Sequence, residues 1–142
     1  MKRILTATAM FAAMFLGAAS PSFAQTTKIT CHLRASNSEW LPRVVELTLT
    51  GEKIVVTDEI ITGFNFLRPI RAEIDVDNTR RRTYSWLLRD VSGYGYGNLT
   101  RSHWDVSYRL TIQKNGHDVL LTASPHGRYR GGDQTVGTCD GV

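Results

Sequence analysis

The chain has 142 residues, with 17 lysines and arginines against 13 acidic side chains, four histidines and two cysteines, for a formal charge of +4. That length makes one domain. The charge is too small and too scattered for a nucleic-acid tract, and the aromatics are not interleaved with it as in single-strand binders.

Residues 1–24, MKRILTATAMFAAMFLGAASPSFA, place Lys2 and Arg3 before an apolar run and end in small residues at Ser22 and Ala24. This is the layout of a secretory signal peptide, with cleavage expected after Ala24. The run is short for a bilayer span and no stop-transfer pattern follows it, so no membrane insertion is expected. Removing Lys2 and Arg3 leaves +2 on residues 25–142, unevenly spread: six basic and eight acidic side chains over 25–79, nine and five over 80–142. Most of the basic residues are arginine, which favours planar, bidentate contact with carboxylate or phosphate.

KITCHLR, Lys28 to Arg34, reads as a strand with Ile29, Cys31 and Leu33 inward. Arg43 to Asp58 reads as a hairpin with Val45, Leu47, Leu49, Ile54 and Val56 on one face, turning at Thr50-Gly51 or at Gly51-Glu52. PIRAEIDV, Pro69 to Val76, alternates Ile70, Ala72, Ile74 and Val76 with Arg71, Glu73 and Asp75, and its proline stands where a strand tolerates one. The run Arg80-Arg81-Arg82 follows the turn-like Asp77-Asn78-Thr79 at the mouth of the next strand, TYSWLLR, whose Tyr84, Trp86 and Leu88 point inward. A solvated hairpin end is the ordinary explanation of such a run, and an anion site the alternative.

SGYGYGNLTRSHW, Ser92 to Trp104, sits within a connection expected from Asp90 to His103. Connections of that length are often functional. Its glycines allow close backbone approach, and Tyr94 and Tyr96 offer flat apolar faces with hydroxyl tips. The alternative is a glycine-interrupted edge strand. Asn98-Leu99-Thr100 matches a glycosylation acceptor, which a bacterial-looking leader argues will stay unmodified.

The clearest periodicity is WDVSYRLTIQ, where Trp104, Val106, Tyr108, Leu110 and Ile112 alternate with polar residues. Asn115-Gly116 then predicts a two-residue type I′ turn. Folding about it pairs Ile112 with Val119, Leu110 with Leu121 and Tyr108 with Ala123, all apolar. The same register sets Asp105 opposite His126 and Ser107 opposite Ser124. SPHGRYRGGDQTVGTC, Ser124 to Cys139, brings Arg128 and Tyr129 back to the end of the Trp104 strand and closes on a last short strand, QTVGTC.

About eight strands and no clear helix over residues 25–142 predict an all-β domain, a small antiparallel barrel with a sandwich as the alternative. Cys31 and Cys139 are the only cysteines, and in an oxidising compartment one bridge between them would make the first and last strands neighbours and close a barrel.

The best-supported site is the loop-bearing end, where Tyr94, Tyr96, Arg101, His103, Arg128 and Tyr129 would converge. His32, His103, His117 and His126 lack metal-ligand spacing, so neither metal nor cofactor is expected. Asp105, His126 and a nearby serine have the parts of a nucleophilic hydrolase. An outward strand face is wet, however, and lacks an oxyanion hole. The expectation is therefore a periplasmic or secreted monomeric binding module for a small anionic or sugar-like ligand or an envelope protein partner. A small hydrolase, or an inhibitory protein acting through the face of Arg71, Glu73 and Asp75, is the alternative.

Overall fold

The computed structural model describes residues 25–65, 68–94, 101–126 and 132–142, with the backbone alone at 92–94, 101 and 102. The expected signal peptide, residues 1–24, lies outside them.

Nine strands form one antiparallel sheet that curls into a nearly closed barrel. They are β1 (Thr26–Leu33), β2 (Val44–Thr50), β3 (Lys53–Asp58), β4 (Ile70–Arg71), β5 (Glu73–Asp77), β6 (Arg81–Tyr94), β7 (Arg101–Gln113), β8 (Asp118–Pro125) and β9 (Asp133–Asp140), with a short helix, α1 (Glu59–Phe64), after β3. Every strand neighbours the next in sequence except β4 and β5, which form the two edges of the sheet, and β1 pairs with β9 in its middle. Cys31 stands opposite Cys139 in that last pairing, and the two form a buried disulfide.

Alternation explains the core. Val45, Leu47, Val56, Tyr84, Leu110 and Leu121 point inward and are fully buried. Trp86 and Tyr108, paired across β6 and β7, stack with ring centroids 5.3 Å apart. Side chains thus fill the interior, as they do in narrow barrels.

The β7–β8 register is the expected one: Ile112 faces Val119, Leu110 faces Leu121 and Tyr108 faces Ala123. The turn itself differs. Lys114 to His117 form a four-residue connection, and neither Asn115 nor Gly116 has positive φ, so the type I′ geometry is not adopted. Strand pairing sets the register, and a longer turn meets it without left-handed residues. In the first hairpin Thr50 pairs with Lys53, which places the turn at Gly51-Glu52 with Gly51 at φ 59°.

Three further differences matter for the site. PIRAEIDV does not run as one strand. It breaks at buried Ala72, so that β4 pairs with β3 and β5 pairs with β6, and Ile74, expected inward, is 43% exposed. This bent stave joins the two ends of the sheet and reconciles nine strands with about eight expected. Second, α1 was not anticipated from the sequence. Asp58 caps it by accepting from the amides of Ile60 (2.8 Å) and Ile61 (2.7 Å), and Ile60 and Ile61 are buried. Six residues are too few to show a helical period. Third, the expected long connection from Asp90 to His103 is mostly strand. A bulge between Leu88 and Val91 carries β6 on to Tyr94, which pairs with Arg101, and only 95–100 remain between the strands.

Candidate functional site

Up-and-down topology sends successive connections to alternate ends. The turns at 51–52, 78–80 and 114–117 and both termini of the described chain lie at one end, and the strand ends that flank the longer connections, Leu33 and Val44, Asp58 and Ile70, Tyr94 and Arg101, and Pro125 and Asp133, lie at the other. The sequence expects the site at that second, loop-bearing end.

Its mouth is plugged. Trp40, Leu41, Ile60 and Ile61 are buried there, and the Tyr108 hydroxyl donates to the Trp40 carbonyl at 3.0 Å. The Arg43 amide donates to Glu59 Oε1 at 2.6 Å, and the Ser38 hydroxyl donates to Asp133 Oδ2. These bonds tie the 34–43 strap to α1 and β9. This end is therefore closed by these residues above a packed interior, and what it offers is a rim.

Beneath the plug sits Asp58, 5% exposed. Its Oδ1 takes both α1 amides and its Oδ2 has no partner among the described residues. Burial pushes its pKa up to about 6, against the pull of the Ile61 and Ile60 amides. Tyr108 is held above the ordinary phenol range, first by burial and then by the Asp58 charge.

Of the six expected site residues, Tyr96, Arg128 and Tyr129 lie outside the described residues. Tyr94 and Arg101 are described in backbone alone and are direct partners across β6 and β7. His103, which faces Ser92, is exposed, and its Nδ1 lies 2.7 Å from Asp90 Oδ1. The structure thus brings Tyr94, Arg101 and His103 to one rim.

The bulge supplies residues that sequence reasoning missed. Asp90 has φ 58°, a left-handed backbone that aspartate tolerates better than most residues. Its amide donates to Asp105 Oδ1 at 3.0 Å, and Arg89 Nη1 is 3.9 Å from Asp105 Oδ2. No sequence signal marks Asp90, because a bulge is a property of the pairing. The expected juxtaposition of Asp105 with His126 holds in the backbone, where the His126 amide donates to the Asp105 carbonyl at 2.8 Å. The imidazole does not turn to the Asp105 carboxylate: His126 Nε2 lies 2.6 Å from Ser107 Oγ.

Below this rim a groove of about 500 Å³ runs down the outer wall between Arg71, Glu73, Asp75, Arg89, Ser107 and Arg109. Ser85 Oγ donates to Asp75 at 2.6 Å, and Arg109 Nη2 is 3.6 Å from the same carboxylate. Both signs of charge line it. Among the described residues no group of three or more His, Cys, Asp or Glu side chains is placed to hold a metal ion, and no helix is long and apolar enough to cross a membrane. Comparison with protein-family models, with curated proteins and with solved structures finds no match for this chain.

Proposed function

We propose that this protein is an exported binding module that engages a small anionic or sugar-like ligand, or an envelope protein partner, at its loop-bearing end. One observation carries the reading: the strand ends that flank every longer connection meet at one end of a barrel whose described interior is filled. Loops held on a rigid scaffold are the usual carriers of binding residues. A plugged mouth favours shallow, polar contact at the rim over enclosure of an apolar molecule, and His103, Asp90 and Arg89 supply donors and acceptors there. The leader-like residues 1–24 and the buried Cys31–Cys139 bridge support a periplasmic or secreted location.

The test is capture. The immobilised protein is exposed to an envelope extract and to a panel of anionic glycans, beside a variant with Tyr96, His103 and Arg128 changed to alanine. Loss of capture by at least tenfold in that variant, with thermal stability kept, supports the rim. Equal capture by both proteins removes it.

A second reading, a small hydrolase, is favoured by the Ser107–His126 contact, which has the geometry of a nucleophile beside its base. Among the described residues no carboxylate orients the imidazole, since Asp105 is engaged with the Asp90 amide. Turnover of generic esters abolished by Ser107→Ala and by His126→Ala alike, with capture intact, would establish it.

A further inference from the structure

At the opposite end of the barrel the Arg80-Arg81-Arg82 run enters a built cluster. Asn78 Oδ1 accepts from the amides of Arg80 (2.9 Å) and Arg81 (3.0 Å), which fixes the turn between β5 and β6. The Lys114 amide donates to the Arg80 carbonyl at 2.8 Å and ties that turn to the one between β7 and β8. Two cations then share a single carboxylate: Asp77 accepts from Arg82 Nε and Nη2 at 3.0 and 2.7 Å and from Lys114 Nζ at 2.5 Å.

Beside this cluster lies a cavity of about 450 Å³, walled by Arg82, Tyr84, Ile112, Lys114, Asn115 and His117. Tyr84 is fully buried, and its hydroxyl has no hydrogen-bond partner among the described residues. Leaving such a group unpaired is costly, so an orphaned donor on a cavity wall points to a ligand atom that would pair with it. Arg82 is held above its ordinary range first by Asp77 and then by the nearby Tyr84 oxygen; a guanidinium can only donate to that oxygen, so the hydroxyl proton still has no acceptor among the described residues. Charge argues the same way. The two turns, 77–82 and 114–118, hold four basic side chains against two acidic ones, and Arg80 and Arg81 make no ion pair among the described residues.

We propose that the cavity at the turn-bearing end binds a tetrahedral oxyanion, the phosphate of a soluble phosphate ester or of an anionic lipid headgroup, through Arg82, Lys114 and Tyr84. A guanidinium takes two oxygens of such a group in its planar fork, and an ammonium adds a point charge. The third oxygen of a tetrahedral anion is left for the Tyr84 hydroxyl as Arg82 swings from Asp77 to the ligand. A planar carboxylate filling the Arg82 fork would leave that hydroxyl unpaired, which is why phosphate is the better fit. Asp77 competes for the same cations, so the site would exchange its ligand readily. This site shares no residue with the rim, and either proposal can fail without the other.

The experiment is a titration of the ¹⁵N-labelled, oxidised protein with inorganic phosphate, against sodium chloride at matched ionic strength, following Arg82 Nε and the Asn115, Gly116 and His117 amides. The expected result is a saturable shift with phosphate alone, weakened at least tenfold in Arg82→Gln and severalfold in Tyr84→Phe, and unchanged in Arg109→Gln on the outer wall. Tyr84→Phe keeps the ring and removes only the orphaned hydroxyl, so it tests the site even if Arg82→Gln disturbs folding. A parallel sedimentation uses vesicles containing phosphatidate, whose monoester phosphate keeps three terminal oxygens. Binding to them that inorganic phosphate displaces assigns the headgroup as the source; saturable phosphate binding without sedimentation assigns a soluble ester. Shifts that follow ionic strength equally in both salts, or an affinity unaltered in Tyr84→Phe, would overturn the proposal.

Discussion

The Tyr108 hydroxyl donates to the Trp40 carbonyl at 3.0 Å, joining the middle of the barrel wall to the strap that closes its mouth. Both residues are buried, so water cannot replace the bond. Tyr108→Phe keeps the stack on Trp86 and leaves the carbonyl unpaired, at a cost of about 1–3 kcal/mol. The expected outcome is a thermal midpoint lowered by several degrees and faster hydrogen exchange at Ser38 to Leu41. Faster exchange spread evenly over the sheet would argue against a strap held by this bond.

Asp58 makes stability depend on pH. Its pKa is about 6 in the folded protein against an ordinary 3.8, so the folded state binds the proton more tightly. The stabilisation is full below pH 3.8 and is lost as pH rises through about 6, amounting to ~3 kcal/mol across that window. Asp58→Asn keeps an oxygen for the α1 amides and cannot ionise. Urea midpoints from pH 4 to 8 should therefore show the wild type losing stability relative to the variant as pH rises. A difference that stays constant across the range would mean the carboxyl is not buried as described. Subtracting the variant removes the opposite trend of Asp77, whose pKa is lowered chiefly by Arg82 and then by Lys114.

Asp90 occupies left-handed backbone at φ 58°. Asp90→Val would cost about 1–2 kcal/mol in backbone strain alone, because a β-branched side chain clashes there. Asp90→Gly relieves the backbone but removes the partner of His103. The expected pattern is near-wild-type stability for the glycine variant and a clear loss for valine, read from denaturant midpoints. Equal losses would mean that the carboxylate contact, not the bulge, holds the rim.

The seam between β1 and β9 is both covalent and close-packed. Replacing Cys31 and Cys139 by alanine should remove up to ~4.7 kcal/mol, the loop-closure value for a loop of roughly a hundred residues. Gly137 adds a second constraint: a Cβ there would run into the His32 carbonyl oxygen. Gly137→Ala should lower the denaturant midpoint even with the disulfide intact. A neutral result would show that the two strands can separate without loss.

What the sequence determined by itself is whatever follows from period 2 and from chemistry that acts locally. The faces of β1, β2, β3, β6 and β7 were legible because a one-residue slip would turn every apolar side chain outward. The β7–β8 register followed from three apolar pairs meeting at once, even though the turn adopts another geometry. The cysteine pairing followed from there being only two cysteines and from the oxidising compartment expected of the leader-like residues 1–24. The bulge at Asp90, the break at Ala72, the plug of Trp40 and Leu41 and the cap of Asp58 on α1 were decided only in three dimensions. Closing a sheet requires its strands to tilt and bend at particular places. Those places depend on where both neighbours stand, which no single stretch of sequence contains. The orphaned hydroxyl of Tyr84 belongs with them: its alternation shows that it points inward, and only the closed barrel decides what it finds there.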